Sequence, residues 1–185
     1  MNPMKRFVLF VTSVLLFASA GEAAQTQRLA ALYKKGEFLQ VCRSGIREYY
    51  AGRQEAPFAA MVGMACAKSD MINPLAELQR HLVDTPVLRS SATFFSTLVL
   101  AKRLLYQHFV DGVSLEPFVL PKYEHILSVV YDHVNRGAYK EMDGGMIRIE
   151  HGGRNIFVSV SDDEPARILV DEYEGATLLH RHWYQ

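Results

Sequence analysis

The hydrophobic period of the chain changes part-way along. From about residue 27 to residue 136, apolar residues recur every three or four positions, as on an amphipathic helix. From Met146 onward they alternate, or run in short blocks between Gly and Asp turns, as in strands. Leu29, Leu32 and Tyr33 share one face, and Gly36 ends that helix. Phe38, Val41, Cys42, Ile46 and Tyr49 make a second stripe that ends near Gly52; Phe58, Val62, Ala65 and Cys66 make a third. Asn73-Pro74 and Thr85-Pro86 each pair a capping residue with a proline at the first helical position. Leu75, Leu78 and Leu82 follow the first signal. Phe94, Phe95, Leu98, Val99, Leu104, Leu105 and Phe109 follow the second and cover most of the circumference, which predicts a central helix packed on several sides. Leu120-Pro121 predicts the start of a last helix carrying Tyr123, Leu127, Val130 and Val134.

The second half reads as a β-meander. Ile147 and Ile149 alternate with Arg148 and Glu150, and Gly152-Gly153 is a hairpin signal. Ile156, Val158 and Val160 alternate with Phe157, Ser159 and Ser161; Ile168 to Val170 form a third strand and Ala176 to Tyr184 a fourth. A sheet this small cannot bury both faces alone, so one face is expected on the helices or on a partner. The fold class is α+β: an N-terminal antiparallel helical-hairpin domain (24–136), a linker (137–145) and a small C-terminal antiparallel β-meander (146–185).

Residues 1–23 change the picture of where the chain works. Lys5 and Arg6 precede an apolar run from Phe7 to Phe17, and small residues follow: Ala18, Ser19, Ala20, Gly21, Ala23 and Ala24. That is the order of a secretory signal peptide, cleaved after Ala20 or Ala23. The run is shorter than the roughly 20 residues a transmembrane helix needs, so no stable membrane insertion is expected after cleavage. The start looks bacterial and places the mature chain in the periplasm. With 20 basic and 20 acidic residues, the chain offers no electrostatic case for nucleic acid.

An oxidising compartment decides how the two cysteines are read. Cys42 and Cys66 lie on adjacent predicted helices and are equidistant from residue 54, inside the turn region Gly52 to Ala56. An antiparallel hairpin makes them neighbours. The expected disulfide closes a loop of about 25 residues and stabilises by roughly 3 kcal/mol.

The candidate chemistry is sparse. His180 and His182 are spaced to point to one face of a strand. His151 would supply a third metal ligand if its strand lay beside the last one, giving a three-histidine zinc geometry. The acidic runs Asp162 to Glu164 and Asp171 to Glu174 read as solvated turn charge, since no EF-hand loop is present. There is no G-x-S-x-G, S-x-x-K, Walker loop or G-x-G-x-x-G. Trp183 and Tyr184 would suit a binding edge at the end of the sheet.

The segment Leu29 to Phe38, LAALYKKGEF, resembles the first helix and turn of tetratricopeptide and Sel1-type repeats, A-x-x-L-Y-x-x-G-x-[FY]. It covers about ten residues, with no second clean copy at the 34-residue period of such arrays. The resemblance implies helix-hairpin architecture with a concave protein-binding surface. The leading expectation is therefore an exported, non-enzymatic interaction or scaffold protein of the bacterial periplasm, without cofactor, whose partner is another periplasmic or envelope protein. Two alternatives are a metal-binding protein or metal-dependent hydrolase using His151, His180 and His182, and a carrier of a small apolar ligand between helices and sheet.

Overall fold

The computed structural model describes residues 24–115 and 118–185, so the signal-peptide segment 1–23 lies outside the described residues. Among the described residues, six α-helices precede a five-stranded antiparallel sheet, an α+β architecture. The helices are α1 (residues 24–34), α2 (Phe38–Tyr50), α3 (Ala56–Lys68), α4 (Leu75–Leu78), α5 (Pro86–Phe109) and α6 (Ile126–Asn135). The strands are β1 (Lys140–Glu141), β2 (Ile147–His151), β3 (Arg154–Val160), β4 (Ile168–Glu174) and β5 (Thr177–Tyr184), in that spatial order.

The α2–α3 hairpin is closed by the expected disulfide, Cys42–Cys66, across a Cα–Cα distance of 4.8 Å. Its two helices approach closely because Gly45 sits against Val62: a Cβ on Gly45 would lie 2.3 Å from a Val62 methyl. The same device joins α3 to α5, where a Cβ on Gly63 would lie 2.2 Å from the buried Phe95 ring. The long helix α5 packs against α3, α4 and α6. Its N-cap is Thr85, whose side chain accepts from the Leu88 N–H.

Three helix ends share one motif. After α1, the Glu37 N–H reaches Leu32 O and the Gly36 N–H reaches Tyr33 O; after α2, Arg53 N–H reaches Glu48 O and Gly52 N–H reaches Tyr49 O. After α3, Met71 N–H reaches Cys66 O and Asp70 N–H reaches Ala67 O. This is the Schellman pattern, whose turning residue takes a positive φ and is usually glycine. Gly36 and Gly52 obey that preference, at φ 81° and 111°. Asp70 does not, at φ 60°.

The sequence expectations need three corrections. The last helix starts at Ile126, not after Pro121: His125 is its N-cap and accepts from the Leu127 N–H, so Tyr123 lies outside it. Asn73 does not cap α4; its Oδ1 accepts instead from the Lys102 ammonium. The expected linker 137–145 carries strand β1, which pairs Lys140 with Arg148 and Glu141 with Ile147, so the sheet has a fifth strand.

The pairing register puts Ile147, Ile149, Ile156, Val158, Ile168 and Val170 on one face of the sheet, and all are buried. They join Leu98, Leu105, Leu127 and Val130 of α5 and α6 in one continuous core. The helices and the sheet thus share one interior.

Candidate functional site

Polar residues gather where the end of α3 meets the last two strands. Val170 faces His182 and Ile168 faces Tyr184 in the β4–β5 register, so His182 and Tyr184 point inward with the apolar face of the sheet. Both need a polar partner on that apolar face. Asp70 supplies it: its Oδ2 lies 2.7 Å from His182 Nδ1, and its Oδ1 accepts from the Tyr184 hydroxyl at 2.6 Å. The other imidazole nitrogen, Nε2, lies 2.9 Å from Glu172 Oε1. Arg154 reaches the second Glu172 oxygen at 3.2 Å.

This geometry fixes the charge state. Both nitrogens of His182 face carboxylates, and each can be satisfied only if both carry a proton, which makes the ring an imidazolium. Burial alone pushes the His182 pKa down; the hydrogen bonds and charges of Asp70 and Glu172 outweigh it and hold it above its ordinary value. Burial likewise pushes Asp70 up, but the bonds from His182 and Tyr184 prevail and keep its carboxyl below the usual range. Tyr184 is raised well above a free tyrosine, by burial first and then by the Asp70 charge. His125 completes the cluster as a neutral ring. Its Nδ1 accepts from Leu127, its Nε2 faces Ala67 O at 3.1 Å, and burial lowers its pKa.

Asp70 pays a conformational penalty by standing where a glycine belongs, and Asp tolerates that region better than most residues. Its carboxylate ties the end of α3 to strands more than one hundred residues later in the chain. Beside it, the buried Lys102 ammonium donates to Asn73 Oδ1 and to the Gln185 backbone oxygen, joining α5 to the end of β5. Burial pushes the Lys102 pKa down.

A cleft of about 460 Å³ opens over this cluster, between α2, the 69–74 segment, α5 and β5. Leu39, Arg43, Lys102, Arg181 and Trp183 line it above Asp70 and Tyr184. Its size lies within the usual range for ligand sites. Leu39 and Trp183 expose apolar surface at its edge, 44% and 53% respectively. The Arg167 guanidinium lies 4.9 Å from the centre of the Trp183 ring.

The predicted site residues fall as follows. Trp183 is exposed, as a binding residue must be. Tyr184 is not: at 2% exposure it is a core residue whose hydroxyl serves Asp70. His180 and His182 do share a face, with ring centres 6.0 Å apart. His151 does not join them, because β3 and β4 separate its strand from β5, a span of about 14 Å at ordinary strand spacing. His151 instead meets His133 of α6, with ring centres 5.3 Å apart. Both nitrogens of His182 are already occupied. Among the described residues no group of three or more His, Cys, Asp or Glu side chains is arranged to hold a metal ion. The sequence reading missed Asp70, Glu172 and Lys102. The one local signal was an aspartate at the turning position of a helix end. No family model, no curated protein and no solved structure matches this chain.

Proposed function

We propose that the chain is an exported protein-interaction module of the bacterial periplasm, and that it engages its partner with β5 and the cleft at the end of that strand. The observation that carries this reading is the open edge of β5. This strand is eight residues long and ends the sheet. Among the described residues its backbone bonds only to β4. Long unpaired edges are templates for another strand, and monomeric proteins usually shorten or cover them. Leu178 and Trp183 are exposed along it. The disulfide fits an oxidising compartment, and no helix among the described residues is long and apolar enough to cross a membrane. The apolar run and small residues of 1–23 support export.

Site-specific photocrosslinking in cells tests this. A photoreactive residue at position 178 or 183 is expected to capture one dominant envelope protein, while one at position 87 of α5, on the helical side, captures none. Equal capture from all three positions, or none from the two β5 positions, would sink the reading. Cell fractionation checks export independently: the protein is expected in the periplasmic fraction with Cys42 and Cys66 inaccessible to thiol reagents.

A further inference from the structure

Resting on that reading, we infer that the segment added to the edge of β5 is an extended antiparallel strand of the partner carrying two consecutive acidic residues, preceded at the cleft by an apolar side chain. The chain itself shows what neighbour β5 accepts. Its existing neighbour, β4, places Asp171 opposite Arg181 and Glu172 opposite His180. Asp171 holds Arg181 by two bonds, Nε to Oδ1 at 2.7 Å and Nη2 to Oδ2 at 2.6 Å. Residues 177–185, TLLHRHWYQ, contain an arginine, two histidines and no acid.

The open side of β5 therefore meets an incoming strand with the same basic residues, and no residue of 177–185 is an acid. A guanidinium has five N–H donors, and Asp171 occupies only Nε and Nη2 of Arg181. Nη1 is left for a second carboxylate on the same face. Consecutive residues on a strand point to opposite faces, so two adjacent acids would meet Arg181 on one face and the exposed His180 on the other. Arg43, on the far wall of the cleft, adds a second exposed guanidinium. Among the described residues lining the cleft, the one acidic side chain, Asp70, has both oxygens engaged by His182 and Tyr184. Towards the end of β5, Trp183 and Leu39 offer an apolar seat for the side chain that precedes the acids.

Charge argues against a second copy of the chain as the occupant. Antiparallel pairing of β5 with itself would bring the His180–Arg181–His182 stretch against its own image, and like charges facing across strands are destabilising. An acidic strand removes that conflict, as β4 does on the other side.

The probe is a synthetic peptide of the β4 sequence, ILVDEYE, acetylated and amidated, compared with the same peptide carrying lysine in place of its two consecutive acids. Trp183 is the single tryptophan of the chain, so its emission reports cleft occupancy, and amide exchange across 177–183 reports strand addition. The acidic peptide is expected to shift Trp183 emission and slow exchange across 177–183, and the lysine peptide to do neither. R181Q is expected to weaken the acidic peptide about tenfold, the value of one charge-assisted contact. Should R181Q fail to fold, the two peptides on the unaltered protein still decide. The inference is overturned if millimolar acidic peptide leaves exchange at 177–183 unchanged or if both peptides act alike. It is also overturned if protection of 177–183 rises with protein concentration alone, which would make the occupant a second copy. Crosslinks at 178 and 183 that persist despite such a result would remove the acidic strand and leave the interaction module standing; loss of the crosslinks removes both.

Discussion

The α2–α3 hairpin and the junction of α3 with the sheet meet at one end of α3, four residues apart at Cys66 and Asp70, and are held by opposite chemistry. The hairpin is joined by the Cys42–Cys66 bond and by the close fit of Gly45 on Val62. Nothing in that set titrates. The junction is joined by Asp70, His182, Glu172 and Tyr184, all of which do. The hairpin contacts of α3 are thus held alike at every ordinary pH, while the junction just beyond them depends on a proton on His182. The difference teaches where this fold can yield. Solution conditions act on the docking of β5 against the helices, the region read here as the partner-binding edge, and leave the hairpin untouched.

Breaking the hairpin should have the largest effect. Changing both Cys42 and Cys66 to alanine is expected to cost about 3 kcal/mol, the loop-closure value for this separation, with the same loss at pH 5 and pH 8 by urea denaturation. A loss that varied between those pH values would mean that the disulfide and the junction at Asp70 are not independent. G63A comes next. Its methyl would overlap the Phe95 ring, and overpacking of this kind costs about 2 kcal/mol. The expected readout is a lowered denaturation midpoint, again without pH dependence.

The two regions also differ in how far the sequence reveals them. The hairpin was legible because its determinants are local: two cysteines equidistant from a turn, flanked by helical stripes. The α+β division was legible because period 3.6 gives way to period 2. The junction was not legible. Asp70 and His182 are 112 positions apart, and no periodicity links them. His182 and Tyr184 occupy inward positions of β5, yet they read as exposed because a histidine and a tyrosine at a chain end carry no apolar signature. The same gap in local signal hid β1, a two-residue strand in a Gly-rich stretch, and delayed the start of α6 past Pro121 to a histidine cap. Where the sequence reading erred, a distant polar partner or a strand pairing had decided the outcome.

Breaking the junction should expose its dependence on pH. Because the folded pKa of His182 lies above its unfolded value near 6.5, its contribution is complete below that value and is lost as pH rises through the folded pKa. Asp70 has the opposite sign. Its folded pKa is depressed below 3.8, so its contribution is complete above that range and is lost as pH falls through the folded pKa. The network therefore stabilises most at mildly acidic pH, between the two titrations. D70N keeps the shape and removes the charge. It is expected to cost about 2 kcal/mol at pH 5.5, the scale of a hydrogen bond to a charged group, and progressively less as pH rises through the folded pKa of His182. Proton NMR of the imidazole should show His182 titrating at lower pH in D70N than in the unaltered protein. A His182 titration unmoved by D70N would mean that Glu172 alone sets it.

The smallest effect separates charge from hydrogen bonding at this junction. Y184F retains the ring that fills the inner face beside Ile168 and deletes the hydroxyl that donates to Asp70 Oδ1. Asp70 still faces the His182 imidazolium, and its side chain retains 29% exposure, so water can take over part of the lost bond. The expected cost is about 1 kcal/mol. Its pH signature should differ from that of D70N. Removing the tyrosine bond takes away one of the interactions that keep the Asp70 carboxyl acidic, so the Asp70 titration should move up and the acid limb of the stability curve should begin at higher pH. The alkaline limb, set by His182, should stay in place because both of its carboxylate partners remain. If Y184F instead moved the alkaline limb, the hydroxyl would be positioning Asp70 for His182, and the junction would act as one coupled unit rather than as two bonds that share a carboxylate.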